Sequence, residues 1–153
     1  MKHRTDAAEV LVGLWGAALP GAYVDMGWTE DDSTGSDIEL FLVDIEDDDV
    51  TQPNAKGPTS LQMQDDYTLM WRLVDKRPHE HPRTAWKAGG ELVTTVVDVV
   101  LRSDRLDESV YGLWRAYPSG VDGPKLVTVP EGIGTYTDLS VSCRHRFQGG
   151  QRG

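Results

Sequence analysis

The strongest potential for metal chemistry in this sequence lies in two histidines that flank a glutamate, His79-Glu80-His81. Histidines at positions i and i+2 can share a zinc ion, but the spacing assigns no third ligand, and the helical pattern of zinc peptidases is absent. Pro78 and Pro82 enclose the three residues, which favours a solvent-exposed connector. We therefore predict no metal site at this position.

Other candidate patterns lack the spacing that their chemistry requires. The acids from Asp44 to Asp49 have neither the central glycine nor the terminal glutamate of a calcium loop. Gly132-Ile133-Gly134 has no third glycine at dinucleotide-binding spacing, so it predicts a turn. Cys143 and His145 fall on the apolar side of an alternating segment, which predicts a core cysteine and a satisfied, partly buried histidine. Since the sequence also contains no phosphate-binding loop and no nucleophile elbow, we predict a protein that is not an enzyme and needs no cofactor.

Charge is distributed unevenly along the chain. The net charge is −10, yet residues 1–76 hold 16 acids and 5 bases, whereas residues 77–153 hold 9 acids and 10 bases. Between Asp25 and Asp49 there are eleven acids and no base. Such a surface repels nucleic acid rather than binding it, and it fits either a DNA path, a contact with a basic partner, or a solubilising rim.

Two alternating segments and one helical segment between them indicate the fold. In residues 61–74 the apolar side chains take every second position, interrupted by Asp65, and residues 135–147 repeat this period of 2. Apolar residues in 84–102 come in pairs, which fits the period of 3.6, and Thr84 is the candidate N-cap. We therefore predict an α+β fold: a mainly antiparallel twisted sheet with an N-terminal helix and one long helix packed on it.

The remaining elements are shorter. An N-terminal helix is predicted to begin at Asp6 with Thr5 as its cap, and strands are predicted at 22–28 and 37–46. The strand at 37–46 is apolar on both faces in its middle, which predicts a well-covered strand or one that meets another subunit. Further strands are predicted at 110–117, 125–129 and 135–147, with a loop at 118–124.

The chain length predicts one domain over residues 1–153. Residues 1–5 and 148–153 are predicted to be flexible tails, and residues 47–60 an extended loop or arm between two strands. No apolar run could span a bilayer, and the basic start of the sequence lacks the apolar stretch of a signal peptide.

In its order of elements, the sequence resembles the tail terminator (tail completion) proteins of long-tailed bacteriophages. The resemblance rests on an N-terminal helix, an alternating strand through Tyr67–Val74, a helix through Trp86–Arg102, and a final alternating strand through Tyr136–Phe147. It covers residues 5–147 and is architectural, without a signature motif.

The resemblance implies a structural protein of the virion, located at the head-tail junction and assembled in the host cytoplasm. Its subunits would form a ring, usually a hexamer, that caps the tail tube and joins it to the head. The implied partners are other copies of the chain, the tail tube protein, and a head-completion or connector protein. DNA would pass through the ring without being a specific ligand, and no membrane would be involved.

A ring subunit needs exposed contact residues, and aromatic and acidic residues near strand ends are the candidates. The predicted interface residues are Trp28, Asp47, Asp48, Asp49, Trp114 and Tyr117. The alternative for the three aromatic residues is that they fill the core of the monomer. Two other classes of function stay open: an acidic binding module, such as an immunity or inhibitor-like protein that covers a basic partner, and a small enzyme with a scattered site.

Overall fold

A computed structural model describes residues 2–27, 35–48 and 62–148. Two helices, α1 (Lys2–Ala18) and α2 (Pro82–Arg102), accompany five strands. The strands are β1 (Tyr23–Asp25), β2 (Ile38–Asp47), β3 (Gln62–His79), β4 (Leu113–Val129) and β5 (Gly132–Gln148), and a short 3-10 helix spans Leu106–Glu108. The α+β fold predicted from the sequence is confirmed.

The five strands form one sheet in the order β1-β2-β3-β5-β4. The β1–β2 pair is parallel, and the other three pairs are antiparallel. β3, β4 and β5 have 18, 17 and 17 residues, so at about 3.3 Å per residue each is roughly 55–60 Å long. A two-residue turn at Pro130 and Glu131 joins β4 to β5, and Glu131 takes the left-handed φ of 70° that such a turn needs.

Both helices pack on the same face of the sheet, and the core lies between the helices and that face. The odd-numbered residues of β3 and β5 form the sheet side of this core, namely Tyr67, Leu69, Trp71, Leu73, Leu139, Val141 and Cys143. The indole of Trp15 in α1 packs edge-on against Trp71 and donates a 3.0 Å hydrogen bond to the carbonyl of Val96 in α2. This contact ties both helices to the middle of the sheet. Neither helix of the described chain has the length and apolar character that a membrane crossing requires.

α2 lies on the sheet where the sequence pattern placed it. Its buried residues follow one stripe, Ala85, Gly89, Leu92, Val96 and Val100. Gly89 marks a close approach, because a Cβ atom there would collide with the hydroxyl of Thr135 on β5. The predicted helical period is confirmed, since burial of this stripe outweighs the weak helix propensity of its valines.

Three predicted boundaries are wrong at the starts of helices and at the end of β3. α1 begins at Lys2 rather than Asp6, so Thr5 lies inside the helix and its hydroxyl donates to the Lys2 carbonyl instead of capping. α2 begins at Pro82, with His81 rather than Thr84 as its N-cap. Proline suits this first position because it has no N–H to leave unpaired. The connector predicted at 76–83 is shorter, because residues 76–79 continue β3, where His79 pairs with Ile133 of β5.

The predicted loop at 118–124 is also wrong, because this segment belongs to the continuous strand β4. β4 stays paired with β5 along its length through three register shifts, one of them between Pro118 and Gly120 and another between Asp122 and Lys125. An edge strand tolerates proline and bulges, since only one of its sides must bond to a neighbour. Among the other strands, β1 is shorter than predicted, and Val43 of β2 is 44% exposed rather than covered.

Candidate functional site

The face of the sheet opposite the helices is the candidate functional surface, and we call it the outer face. No helix within residues 2–27, 35–48 and 62–148 packs against it. Even-numbered residues of β3 and β5 line its centre, among them Thr68, Met70, Arg72, Asp138 and Ser140. A shallow, open depression of about 450 Å³ lies there, bordered by the exposed side chains of Val43 and Val121.

Three arginines and two aromatic residues meet at the β4–β5 side of the outer face. We call this group the arginine patch: Trp114, Arg115, Tyr117, Arg144 and Arg146. The Arg146 guanidinium carbon lies 4.4 Å from the Trp114 ring centre, and that of Arg115 lies 4.5 Å from the Tyr117 ring centre. Arg144 lies 5.6 Å from the same Tyr117 ring and donates a 3.1 Å hydrogen bond to its hydroxyl.

The arginine patch has one acidic neighbour in the sheet, since Asp66 of β3 lies opposite Arg144 in the strand register. Among the described side chains, no carboxylate forms an ion pair with Arg115, Arg144 or Arg146. A guanidinium group stacked on an aromatic ring can still donate from its in-plane N–H groups, although the Nε of Arg144 is buried without a partner. Arg115 and Arg146 are exposed, while Arg144 is half-buried. The patch can therefore accept carboxylate or phosphate groups from outside the subunit.

The β2 edge of the sheet carries acidic residues at the same position along the strands as the arginine patch. We call it the acidic edge: Asp44, Glu46, Asp47 and Asp48. β1 pairs only with Glu39–Phe41, so the part of β2 that carries the acidic edge extends beyond β1. The β-strand register places Glu46 beside Thr68, Thr68 beside Ser142, and Ser142 beside Tyr117. β5 is two strand spacings from β2 and β4 is three, so about 10–14 Å separate the acidic edge from the arginine patch.

A second polar cluster lies under the first turn of α1, on the helix side of the sheet. Asp65 of β3 accepts hydrogen bonds of 3.0 and 2.6 Å from Arg4 and lies 2.5 Å from Nε2 of His3. Arg4 also lies 4.8 Å above the Tyr67 ring and forms an ion pair with Asp47. We call Arg4, His3, Asp65, Tyr67 and His145 the N-terminal lock, because they hold the start of α1 on the sheet.

Hydrogen bonds and burial shift the pKa values within the N-terminal lock. Burial alone would raise the pKa of Asp65, but the hydrogen bonds from Arg4 and His3 outweigh it and hold that pKa below its ordinary value. The hydrogen bond to Asp65 in turn raises the pKa of Arg4. Both groups therefore remain charged at neutral pH.

His145 is fully buried and neutral in this cluster. Its Nδ1 lies 2.9 Å from the Tyr111 carbonyl, which can only accept, so Nδ1 carries the proton. Nε2 then accepts from the Tyr67 hydroxyl at 2.8 Å. Burial lowers the pKa of His145, although the hydrogen bond to Tyr111 opposes that shift. The predicted satisfied histidine is confirmed.

Cys143 is buried beneath the helices, as the sequence predicted. Burial raises the pKa of its thiol to about 12, so the thiolate form is scarce at neutral pH. A buried, protonated thiol of this kind acts as a small apolar residue in the core.

The predicted interface residues fall into three groups. Trp28 and Asp49 lie outside the described residues, as does most of the predicted arm at 47–60. Asp47 and Asp48 lie at the end of β2, where Asp47 is 75% exposed and Asp48 accepts a hydrogen bond from Thr68. Trp114 and Tyr117 come together in the arginine patch, and neither belongs to the core under the helices. Their role in an interface stays a prediction.

His79 and His81 occupy different settings. His79 ends β3 and is half-buried, with an Nε2 atom that has no hydrogen-bond partner, whereas His81 is exposed at the start of α2. Within the described segments, no group of three or more histidine, cysteine or acidic side chains is placed to hold a metal ion.

No family model matches the sequence, and no curated protein matches it. Among solved structures, one match is the cryo-EM structure of the anti-feeding prophage cap, a tube terminating cap. The sequences are 14% identical, the TM-score is 0.46, and the match covers 97% of this chain and 56% of that one. The chain therefore spans about half the length of that matched chain, and a likeness this distant carries no argument about function.

Sequence reasoning missed the three arginines of the patch. The alternation of residues 135–147 placed Arg144 and Arg146 on one polar face, and Trp114-Arg115 begins a predicted strand, so part of the signal was present. Their meeting depends on the pairing of β4 with β5, which includes a register shift between Leu113 and Arg115. A single sequence does not specify such a shift.

Proposed function

We propose that this chain is a structural subunit of a phage-type tail: a tail terminator that assembles into a ring, caps the tail tube and joins it to the head. In this proposal the protein is not an enzyme. Its partners are other copies of itself, most simply six in a ring, the tail tube protein, and a head-completion or connector protein.

The order and proportions of the elements carry the proposal. α1, β1, β2, the long strand β3, α2, and the long hairpin of β4 and β5 follow one another in the order that underlies the resemblance to tail terminator proteins. The sheet is covered on one face and leaves a polar outer face with charges at both sides. Rigid long strands and unpaired surface charges suit a subunit that functions by contact with neighbours.

The test is the size of the assembly and its effect on tail tubes. Purified protein is expected to form a ring with a central opening, visible by negative-stain electron microscopy and matched by its mass in solution. Added to tubes grown from the tail tube protein of the same particle, it is expected to bind tube ends and stop their growth. A monomer that leaves tube growth unchanged would contradict the proposal.

A second candidate is an acidic binding module that covers a basic partner, and the exposed carboxylates of the acidic edge favour it. Asp44 and Glu46 are exposed, and Asp47 is 75% exposed. This candidate predicts a monomer that forms a tight one-to-one complex with a basic protein. The same mass measurement separates it from the ring.

A further inference from the structure

We propose that the acidic edge of one subunit docks on the arginine patch of the next, so that identical subunits join head to tail. The inference rests on the proposed ring, and it assigns the two surfaces that meet in it. The partner of the arginine patch is thus a second copy of this chain.

The first argument is complementary charge: the arginine patch has no ion-pair partner among the described side chains, and the acidic edge carries exposed carboxylates. The three arginines of the patch have no carboxylate partner among the described side chains. In the acidic edge, Asp44 and Glu46 are exposed and form no ion pair among the described side chains, whereas Asp47 already pairs with Arg4. Complementary charge of this kind directs the encounter of two surfaces and fixes their register.

The second argument is geometric. The two surfaces lie near opposite edges of the sheet, two to three strand spacings apart, and no described side chain of one forms an ion pair with the other. Different surfaces at opposite edges of one sheet make a heterologous contact, which closes into a ring when the rotation between subunits allows it.

The third argument concerns the composition of the patch. Tryptophan, tyrosine and arginine are the residues that most often carry the binding energy of protein interfaces. A guanidinium group already lies over each of the rings of Trp114 and Tyr117, which leaves less ring surface to stack on bases of a nucleic acid. The acidic edge on the same subunit and the net charge of −10 also disfavour a polyanion. A carboxylate-rich protein surface fits better.

Charge reversal on exposed residues tests the docking. Arg115→Glu with Arg146→Glu reverses the arginine patch, and Asp44→Lys with Glu46→Lys reverses the acidic edge. Each double variant is expected to remain folded and to lose self-association by at least about tenfold, measured by sedimentation velocity at low salt, because like charges then face each other. Arg83→Glu with Lys87→Glu, on exposed positions of α2, is the matched control and is expected to assemble like the parent.

Mixing the two variants gives the decisive result. An equal mixture is expected to recover assembly, since the reversed edge of one variant meets the reversed patch of the other. Native mass spectrometry of the recovered assemblies is expected to find equal numbers of both variants. Folded variants that assemble like the parent, or a mixture that stays dissociated, would overturn the docking while leaving the ring in place.

Two further outcomes separate this inference from the proposed function. A parent protein that is monomeric at every concentration, even with tail tubes present, would overturn both. A parent that binds duplex DNA near physiological salt, and loses that binding with the Arg115→Glu and Arg146→Glu changes, would assign the patch to nucleic acid and overturn the docking alone.

Discussion

Arginine stacks on tyrosine in two regions of this molecule, and the two settings differ in what else the arginine meets. In the N-terminal lock, Arg4 lies over Tyr67 and is held by Asp65, whose side chain is 16% exposed. In the arginine patch, Arg115 lies over Tyr117 without a carboxylate partner among the described residues. The first arrangement is satisfied inside the subunit and stabilises it. The second has no ion pair within the described subunit, so similar side chains stabilise the subunit in one place and, in the proposed docking, bind a neighbour in the other.

Removing the central carboxylate of the N-terminal lock should have the largest effect on stability. Asp65→Ala leaves the Arg4 guanidinium largely buried without its main partner, and we expect the free energy of unfolding to fall by about 2–4 kcal/mol. Urea unfolding monitored by tryptophan fluorescence measures it. Asp138→Ala is the matched control, because its ion pair with Arg72 is 35–44% exposed and should contribute less than about 1 kcal/mol. Equal losses for both variants would contradict the comparison.

The two tyrosines provide a sharper version of the same test. Tyr67→Phe removes the donor to Nε2 of buried His145, and we expect a loss of about 1–2 kcal/mol in unfolding free energy. Tyr117→Phe removes only the acceptor for Arg144 on the outer face, where water can replace it, so its effect should stay below about 0.5 kcal/mol. Equal losses of unfolding free energy in the two variants would contradict the greater contribution of the N-terminal lock to stability.

The pH dependence of stability should originate in the N-terminal lock. Burial lowers the pKa of His145 in the folded state, so the unfolded chain binds a proton first as pH falls below about 6.5. Stability is therefore full above that pH and decreases below it, by at most about 1.4 kcal/mol per pH unit for this one group. His3, Arg4 and Asp65 face His145 and contribute to its pKa.

The His145→Gln variant checks this assignment. Its unfolding free energy should change less between about pH 7.5 and 5.5 than that of the parent. Asp65 acts in a separate window, because its pKa is lowered and its contribution is lost only as pH falls below about 3.8. An unchanged slope above pH 5.5 in the variant would assign the effect to other histidines.

The smallest effect is expected at the arginine patch. Arg115→Glu with Arg146→Glu should change the unfolding free energy of the isolated subunit by no more than about 1 kcal/mol, because both side chains are exposed and lose only a contact with an aromatic ring. Chemical denaturation at a concentration where the parent is dissociated measures this. A large loss would show that the patch stabilises the subunit in the same way as the lock.

The sequence predicted the covered half of the molecule better than the exposed half. Period 2 in β3 and β5 and period 3.6 in α2 placed Trp71, Val96 and Cys143 in the core, because burial of one face leaves a regular signal. Asp65 appeared only as an interruption, since its partners His3 and Arg4 are more than sixty residues away in sequence. No local pattern records such a pairing.

The side-chain contacts on the outer face depend on the strand register, which the sequence did not reveal. Pro118 and Pro124 suggested a loop, yet β5 holds that segment as an edge strand. The arginine patch therefore could not be assembled from the sequence, although the sequence singled out Trp114 and Tyr117 as candidate interface residues, a role that stays a prediction. The interface role of Trp28 and Asp49 stays a prediction, because both lie outside the described residues.

The interruptions of β4 have a consequence for how the protein behaves when crowded. Pro118 and Pro124 have no N–H to give, and three register shifts break the strand into short regular runs such as Leu126–Val129. A foreign strand can thus pair with only a few residues at a time along this border. We expect concentrated solutions of the protein to resist fibril growth. Replacing both prolines would make the edge strand β4 more regular, and we expect such a variant to be prone to gelation.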